Sequence, residues 1–289
     1  DYCVSASDDD PAYLEKNSRP PLDAEAMLKK LEVHCAHLRK TSTADVSVNA
    51  LRNEVYARCG EAGEQPMGLF TLTAPTGVGK TMAMIHFALR HCVQHQLPRI
   101  IVVLPFLTLA EQLQKEYEHI FPEILVDHSQ ENLPEAAREL AARWDSPVII
   151  TTSVRFFESL FSANPQSCRK LHHIANSVVL FDEAQSLPAS LARPTVAAVN
   201  ALCEKYRCTM VFSTATQPDF SALPKTQWQP TEIIPESARL FYQMRRVNAA
   251  WCHDVPLAQI AEQMCLEKNA CCIVNLRRHA RKLFELLQE

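Results

Sequence analysis

From residue 69 onward, short and nearly continuous apolar runs alternate with longer stretches in which apolar residues recur every three or four positions. The short runs cover residues 69–74, 99–104, 124–127, 148–151, 178–181 and 209–213, and they predict strands buried on both faces. The longer stretches predict helices, the first of them over residues 81–94. Such alternation is the signature of an α/β fold, a parallel sheet covered by helices on both faces. Pro105 ends the second strand, and Thr108 with Glu111 predicts a capping box opening the next helix. That helix carries Leu109, Leu113 and Tyr117 on one face and pairs Glu111 with Lys115 four residues on. Each predicted strand ends in a polar cluster, where an open α/β sheet gathers its ligand groups.

Both ends of the chain read differently from this middle. The first forty residues hold the acidic run Asp8-Asp9-Asp10 and the pair Pro20-Pro21, which predict the tail of a preceding domain and a linker. A helix follows over residues 24–40 through Leu28, Leu31 and Leu38. After the proline-punctuated stretch 224–235 a second strand and helix series begins, with strands expected at 246–251 and 270–274 and a helix at 256–266. The chain starts at Asp1 rather than Met and stops inside a helical pattern, 277–287, with no stop signal, so a piece of a longer protein is expected. The expected division is 1–44, 45–235 and 236–289.

Composition narrows the picture only a little. With 289 residues, 47% of them hydrophobic, the chain can bury a sizeable core of one domain or one and a half. No apolar run approaches the roughly 18 to 20 residues that cross a bilayer, and no signal peptide opens the sequence. A soluble cytoplasmic protein with no membrane partner is expected. The eleven cysteines have no paired spacing and read as reduced thiols, a metal site being the alternative. A net charge of −4 gives no global basic field, so any nucleic acid must bind in a local groove.

The chemistry is concentrated at three strand ends. After the first strand comes Ala74-Pro75-Thr76-Gly77-Val78-Gly79-Lys80-Thr81, a phosphate-binding loop that runs into a helix and departs from the strict pattern only in having Ala74 for glycine. Its glycines let successive backbone N–H groups approach a polyphosphate, and the helix N-terminus adds partial positive charge there. Lys80 would neutralise the β- and γ-phosphates of a nucleoside triphosphate and Thr81 would hold Mg²⁺; the bland alternative is a glycine-rich turn. The fifth strand ends in Asp182-Glu183-Ala184-Gln185, where Asp182 would hold Mg²⁺ and Glu183 would orient and deprotonate the attacking water. A solvated turn is the alternative. Ser213-Thr214-Ala215-Thr216 closes another strand, where small hydroxyls could sense the γ-phosphate or simply form a turn.

In this order and on these strands, residues 74–81, 182–185 and 214–216 resemble motifs I, II and III of superfamily 2 helicases. The wider wording of residues 102–112 (VVLPFLTLAEQ), 150–157 (ITTSVRFF), 177–188 (SVVLFDEAQSLP) and 212–218 (FSTATQP) resembles the CRISPR-associated helicase-nuclease of type I interference systems. The resemblance runs from about Val48 to the last residue. It implies a RecA-like P-loop NTPase lobe followed by the truncated start of a second RecA-like lobe, with residues 273–277 in the place of motif IV. Lys80, Thr81, Asp182 and Glu183 take the ATP and Mg²⁺ roles, while Gln185 and Thr214, Ala215 and Thr216 couple the γ-phosphate to nucleic acid. Pro105 to Thr108 and Thr151, Thr152 and Arg155 would line a single-stranded DNA track. Asn49 and Arg52 lie where a nucleotide-base pocket is expected, an exposed helix start being the alternative.

The same resemblance implies a preceding HD nuclease. Asp1 and Ser5 would be a remnant of its final metal-ligand segment, or else a solvated helix start, whereas His253-Asp254 falls in the wrong half of the chain to belong to it. The implied whole is a monomeric, ATP-dependent, 3′ to 5′ single-stranded DNA translocase recruited by an RNA-guided CRISPR surveillance complex. Motifs V and VI are not in the sequence, so this chain alone is expected to hydrolyse ATP very slowly. An RNA helicase of the DEAD/DEAH type and a non-catalytic ATP-binding adaptor are the alternatives.

Overall fold

The computed structural model of the protein describes residues 20–127, 144–162, 170–223 and 227–288. The helices in chain order are α1 (Ala24–Thr41), α2 (Val46–Ala62), α3 (Lys80–His95), α4 (Leu107–Tyr117), α5 (Ser153–Phe161), α6 (Leu171–Ile174), α7 (Ala192–Lys205), α8 (Ser237–Gln243), α9 (Leu257–Leu266) and α10 (Arg277–Leu286). The strands are β1 (Leu69–Thr73), β2 (Arg99–Leu104), β3 (Leu125–Asp127), β4 (Val148–Thr152), β5 (Ser177–Phe181), β6 (Thr209–Thr214) and β7 (Thr231–Glu232). They form one sheet in the order β3-β4-β2-β5-β6-β1-β7, and every pairing is parallel.

Alternate residues of each strand enter opposite cores, as the continuous apolar runs require. Ile100, Val102, Val178, Leu180 and Val211 pack with Leu31, Val55, Ala83, Phe87 and Tyr117 from the helices on one face. Ile101, Val103, Val179, Phe181 and Phe212 pack with Phe156, Phe157, Val199 and Leu202 on the other. On the first face α2 and α3 approach closely, since a Cβ added at Gly60 would stand 2.3 Å from the His86 ring. Tyr56 stacks on His86 with ring centroids 3.9 Å apart, and this contact sets α2 against the helix that follows the phosphate loop.

Several expectations change here. Helix α1 is no linker: Leu31 is fully buried and Met27 and Cys35 join the same core, with Asp23 capping the helix by accepting from the Ala26 N–H at 3.0 Å. The described residues fall into two compact units that divide between Met244 and Arg245, not at 235, because Leu240 of α8 is wholly buried in the first core. The capping box does not form. The turn after Pro105 closes early, Phe106 takes extended geometry as the cap residue, and Thr108 lies inside the first turn with no side-chain cap. In the second unit α9 and α10 pack on each other, and residues 246–251 and 270–274 are irregular rather than strands. A strand is held by its ladder, and neither segment has a pairing partner among the described residues.

Candidate functional site

The carboxyl ends of β1, β5 and β6 lie together in the middle of the sheet. Strand β1 hands over to the loop through the Ala74 N–H, which donates to the Thr214 carbonyl at 3.1 Å. Gly77 and Gly79 have φ of 84° and 83°, left-handed geometry that a side chain would strain. Gly79 is the cap of α3. Ala74 is fully buried and needs no positive φ, which explains why glycine is dispensable at that position. Pro75 and Val78 are also buried, whereas Thr76, Gly77 and Gly79 face solvent, so the loop is anchored at two points and presents its tip. Lys80 folds back over the loop, with Nζ donating to the Ala74 carbonyl at 3.2 Å, and Thr81 follows half-buried in the first turn of α3.

Opposite stands the acidic pair. The Asp182 N–H extends the β5 ladder by donating to the Val103 carbonyl at 3.0 Å, and the Asp182 carboxylate accepts from the Glu183 N–H at 3.0 Å. Burial, and then the Glu183 charge, raise the Asp182 carboxyl above the usual carboxylate range, against the pull of that N–H and of Lys80. Glu183 sits at φ 52°, left-handed geometry that a glutamate adopts only when its surroundings hold it there. Gln185 Nε2 donates to Glu183 Oε2 at 2.6 Å, and the Thr214 hydroxyl meets Gln185 Oε1. The Thr216 N–H donates to that same hydroxyl at 3.0 Å, with Ala215 between them. Motif II and the hydroxyl turn are therefore joined by side chains.

A cleft of about 780 Å³ opens in front of these groups, with Thr76, Gly77, Lys80, Thr81, Asp182 and Glu183 on one wall and α1 and α2 on the other. Arg52 reaches across, its Nε donating to the Gly77 carbonyl at 3.0 Å and its Nη1 to Asn49 Oδ1 at 3.5 Å. Asn49 Oδ1 also accepts from the Ser42 hydroxyl at 2.9 Å, and its amide donates to the Ala44 carbonyl at 3.0 Å. Asn49 thus folds the 42–44 turn against α2, and Arg52 ties α2 to the phosphate loop. Sequence reasoning missed Arg39 and Tyr56, which line the same cleft, the guanidinium 5.1 Å above the ring centroid. For Arg39 the signal was the apolar stripe of α1, which was assigned to a linker, whereas Tyr56 lies on α2 and had none.

The ends of β2 and β4 are less uniform. Pro105 is half-buried, and Phe106, Leu107 and Thr108 are exposed beyond it. Thr151 is fully buried with its hydroxyl unpartnered, and Thr152 is nearly so, its hydroxyl accepting from the Arg155 N–H at 3.3 Å to cap α5. Neither threonine offers its side chain to a ligand in this geometry. Arg155 is accessible, with Nη1 3.7 Å from Glu158 Oε2. Asp1 and Ser5 lie outside the described residues.

A parallel sheet with a phosphate loop after one central strand, an acidic pair after another and a linked hydroxyl turn after a third is the RecA-like ATPase lobe of superfamily 2 helicases. The chain belongs to the DEAD/DEAH box helicase family, whose model matches residues 58–223. No curated protein sequence matches it. Among solved structures it is similar to T. fusca Cas3, at 16% identity and a TM-score of 0.50 over 83% of this chain and 26% of that one. It is also similar to the Pyrococcus furiosus Hef helicase domain (18% identity, TM-score 0.41, 67% and 35% covered). The DUF1998 helicase MrfA bound to DNA gives 15% identity, a TM-score of 0.46 and coverage of 69% and 26%. The chain thus spans about a quarter of the T. fusca Cas3 chain. Among the described residues no helix is long and apolar enough to cross a membrane.

Proposed function

We propose that this chain is the ATP-driven, single-stranded DNA translocase portion of a type I CRISPR helicase-nuclease acting in the cytoplasm, with residues 245–289 opening a second RecA-like lobe. The observation that carries the motor reading is the hydrogen-bonded set Glu183, Gln185 and Thr214, with Glu183 lining the same cleft as Lys80. The donor set fits Mg-ATP: a left-handed glycine cradle, one buried ammonium, a hydroxyl beside it and two carboxylates. When bound, Mg-ATP supplies a phosphoanhydride whose γ-phosphoryl group is transferred to water.

Lys80 would exchange the Ala74 carbonyl for phosphate oxygens, and Thr81 and Asp182 would hold the metal. Glu183 orients the attacking water and takes its proton, its carboxylate aimed by the Gln185 amide. Thr214 reads the state of Gln185 and passes it along β6. Thr108 and Arg155, both accessible at the ends of β2 and β4, contact the strand backbone. The CRISPR assignment, with its nuclease and its RNA-guided recruiting complex, is supported by the wording of residues 102–112 and 177–188. Slow turnover by this chain alone is part of the proposal.

The test is the ATPase rate with and without single-stranded DNA or RNA of the same sequence. Turnover below about 0.1 s⁻¹ is expected, against the usual enzyme range of about 1 to 10³ s⁻¹, raised by DNA and not by RNA. Stimulation by RNA in place of DNA would overturn the DNA reading, and brisk DNA-stimulated turnover would overturn the claim that the chain is slow alone.

A further inference from the structure

Strand β7 is only two residues long, and its backbone pairing with β1 stops at Thr71 and Glu232, followed by the Ile233 N–H donating to the Thr71 carbonyl at 2.8 Å. Strand β1 runs on to Thr73, the residue before the phosphate loop. Thr73, like Thr71, turns its backbone polar groups toward this edge, while Ala74 turns its N–H to β6. The missing ladder is completed by a side chain. Glu232 Oε1 accepts from the Thr73 N–H at 3.1 Å and from the Ile234 N–H at 3.1 Å, and Oε2 accepts from the Thr73 hydroxyl at 2.6 Å.

We propose that Glu232 is a positioning residue for nucleotide binding, its carboxylate acting as a substitute strand that fixes the root of the phosphate loop. Bonds to a charged acceptor are stronger than neutral ones, and three of them converge here. Their effect passes through one residue to the loop. Thr73 is held by Glu232 on one side, and the next residue, Ala74, bonds Thr214 on the other through its N–H and supplies the carbonyl that receives Lys80. A shift of Thr73 would move Ala74 and with it the ammonium meant for the phosphates, and small misplacements of such groups carry large penalties. Nothing in the proline-punctuated stretch around residue 232 announces this role, and no other charged side chain hydrogen-bonds Thr73 among the described residues.

The proposal rests on the ATP reading, and its test separates the two. The affinity of the full chain for Mg-AMPPNP is measured in wild type, Glu232→Ala and Glu232→Gln, at a temperature where circular dichroism shows each to be folded. Glu232→Ala is expected to weaken binding about tenfold, and Glu232→Gln to stay within about threefold of wild type because its amide oxygen still accepts both backbone N–H groups. Should Glu232→Ala fail to fold, Thr73→Val removes only the hydroxyl bond and is expected to weaken binding about threefold. Wild-type affinity in Glu232→Ala or Thr73→Val, with only a lower melting temperature, would make the carboxylate a structural prop and overturn the inference while leaving the ATP reading intact. No binding to wild type would overturn both.

Discussion

The ends of β1, β5 and β6 and the ends of β2 and β4 belong to one sheet yet are built in opposite ways. In the first group polar side chains converge and hold one another, from Lys80 on Ala74 to Glu183, Gln185 and Thr214. In the second they disperse: Thr151 is buried, Thr152 caps a helix, and Arg155 leans toward Glu158. A phosphate chain and its metal have fixed geometry, so a site for them gains from groups locked before binding. A nucleic-acid backbone is long and repetitive, and exposed donors that can adapt serve it as well. Under the function proposed above, the first group would be a preorganised chemical centre and the second an adjustable track.

Substitutions on the two sides should therefore fail differently. Glu183→Gln should have the largest effect, lowering turnover about 10²- to 10⁴-fold with nucleotide affinity kept, as steady-state rates and titration of a fluorescent ATP analogue would show. Retained turnover would mean that the base lies elsewhere. Arg52→Ala comes next. It frees the Gly77 carbonyl and should weaken nucleotide about five- to tenfold while leaving DNA affinity alone, which fluorescence anisotropy with a labelled oligonucleotide would check. The smallest effect is expected from Arg155→Ala, about a two- to fivefold loss of single-stranded DNA affinity that shrinks as salt rises, with nucleotide affinity kept. An equal loss of both ligands in Arg155→Ala would erase the distinction between the two halves.

The same contrast explains what was legible in the sequence. Strands buried on both faces are mostly apolar, so β2 was readable to the residue and β4 to within one of its end. Motif residues within one loop are brought together by local geometry, so the Ala74 to Thr81 loop and the pair Asp182 and Glu183 could be picked out from the sequence. Strand β7 was invisible because two residues carry no periodicity, and Glu232 with it. The burial of Thr151 was hidden because a hydroxyl at a strand end reads the same whether it faces solvent or core. Arg52 was placed near the nucleotide, but its bond to Gly77 depends on how α2 packs on α3, a tertiary contact 25 residues apart in sequence. In the second unit the segments 246–251 and 270–274 were read as strands, although a run of residues becomes a strand only where a neighbour accepts its ladder.

The most direct measurement is isothermal titration of the full chain with Mg-AMPPNP, in wild type and Lys80→Ala, with and without a chelator of divalent ions. The account predicts a single saturable site in wild type, weakened about a hundredfold by Lys80→Ala and strongly reduced when the metal is removed. Absence of binding in wild type, or binding indifferent to Lys80, would contradict the claim that the ends of β1, β5 and β6 form a preorganised nucleotide centre.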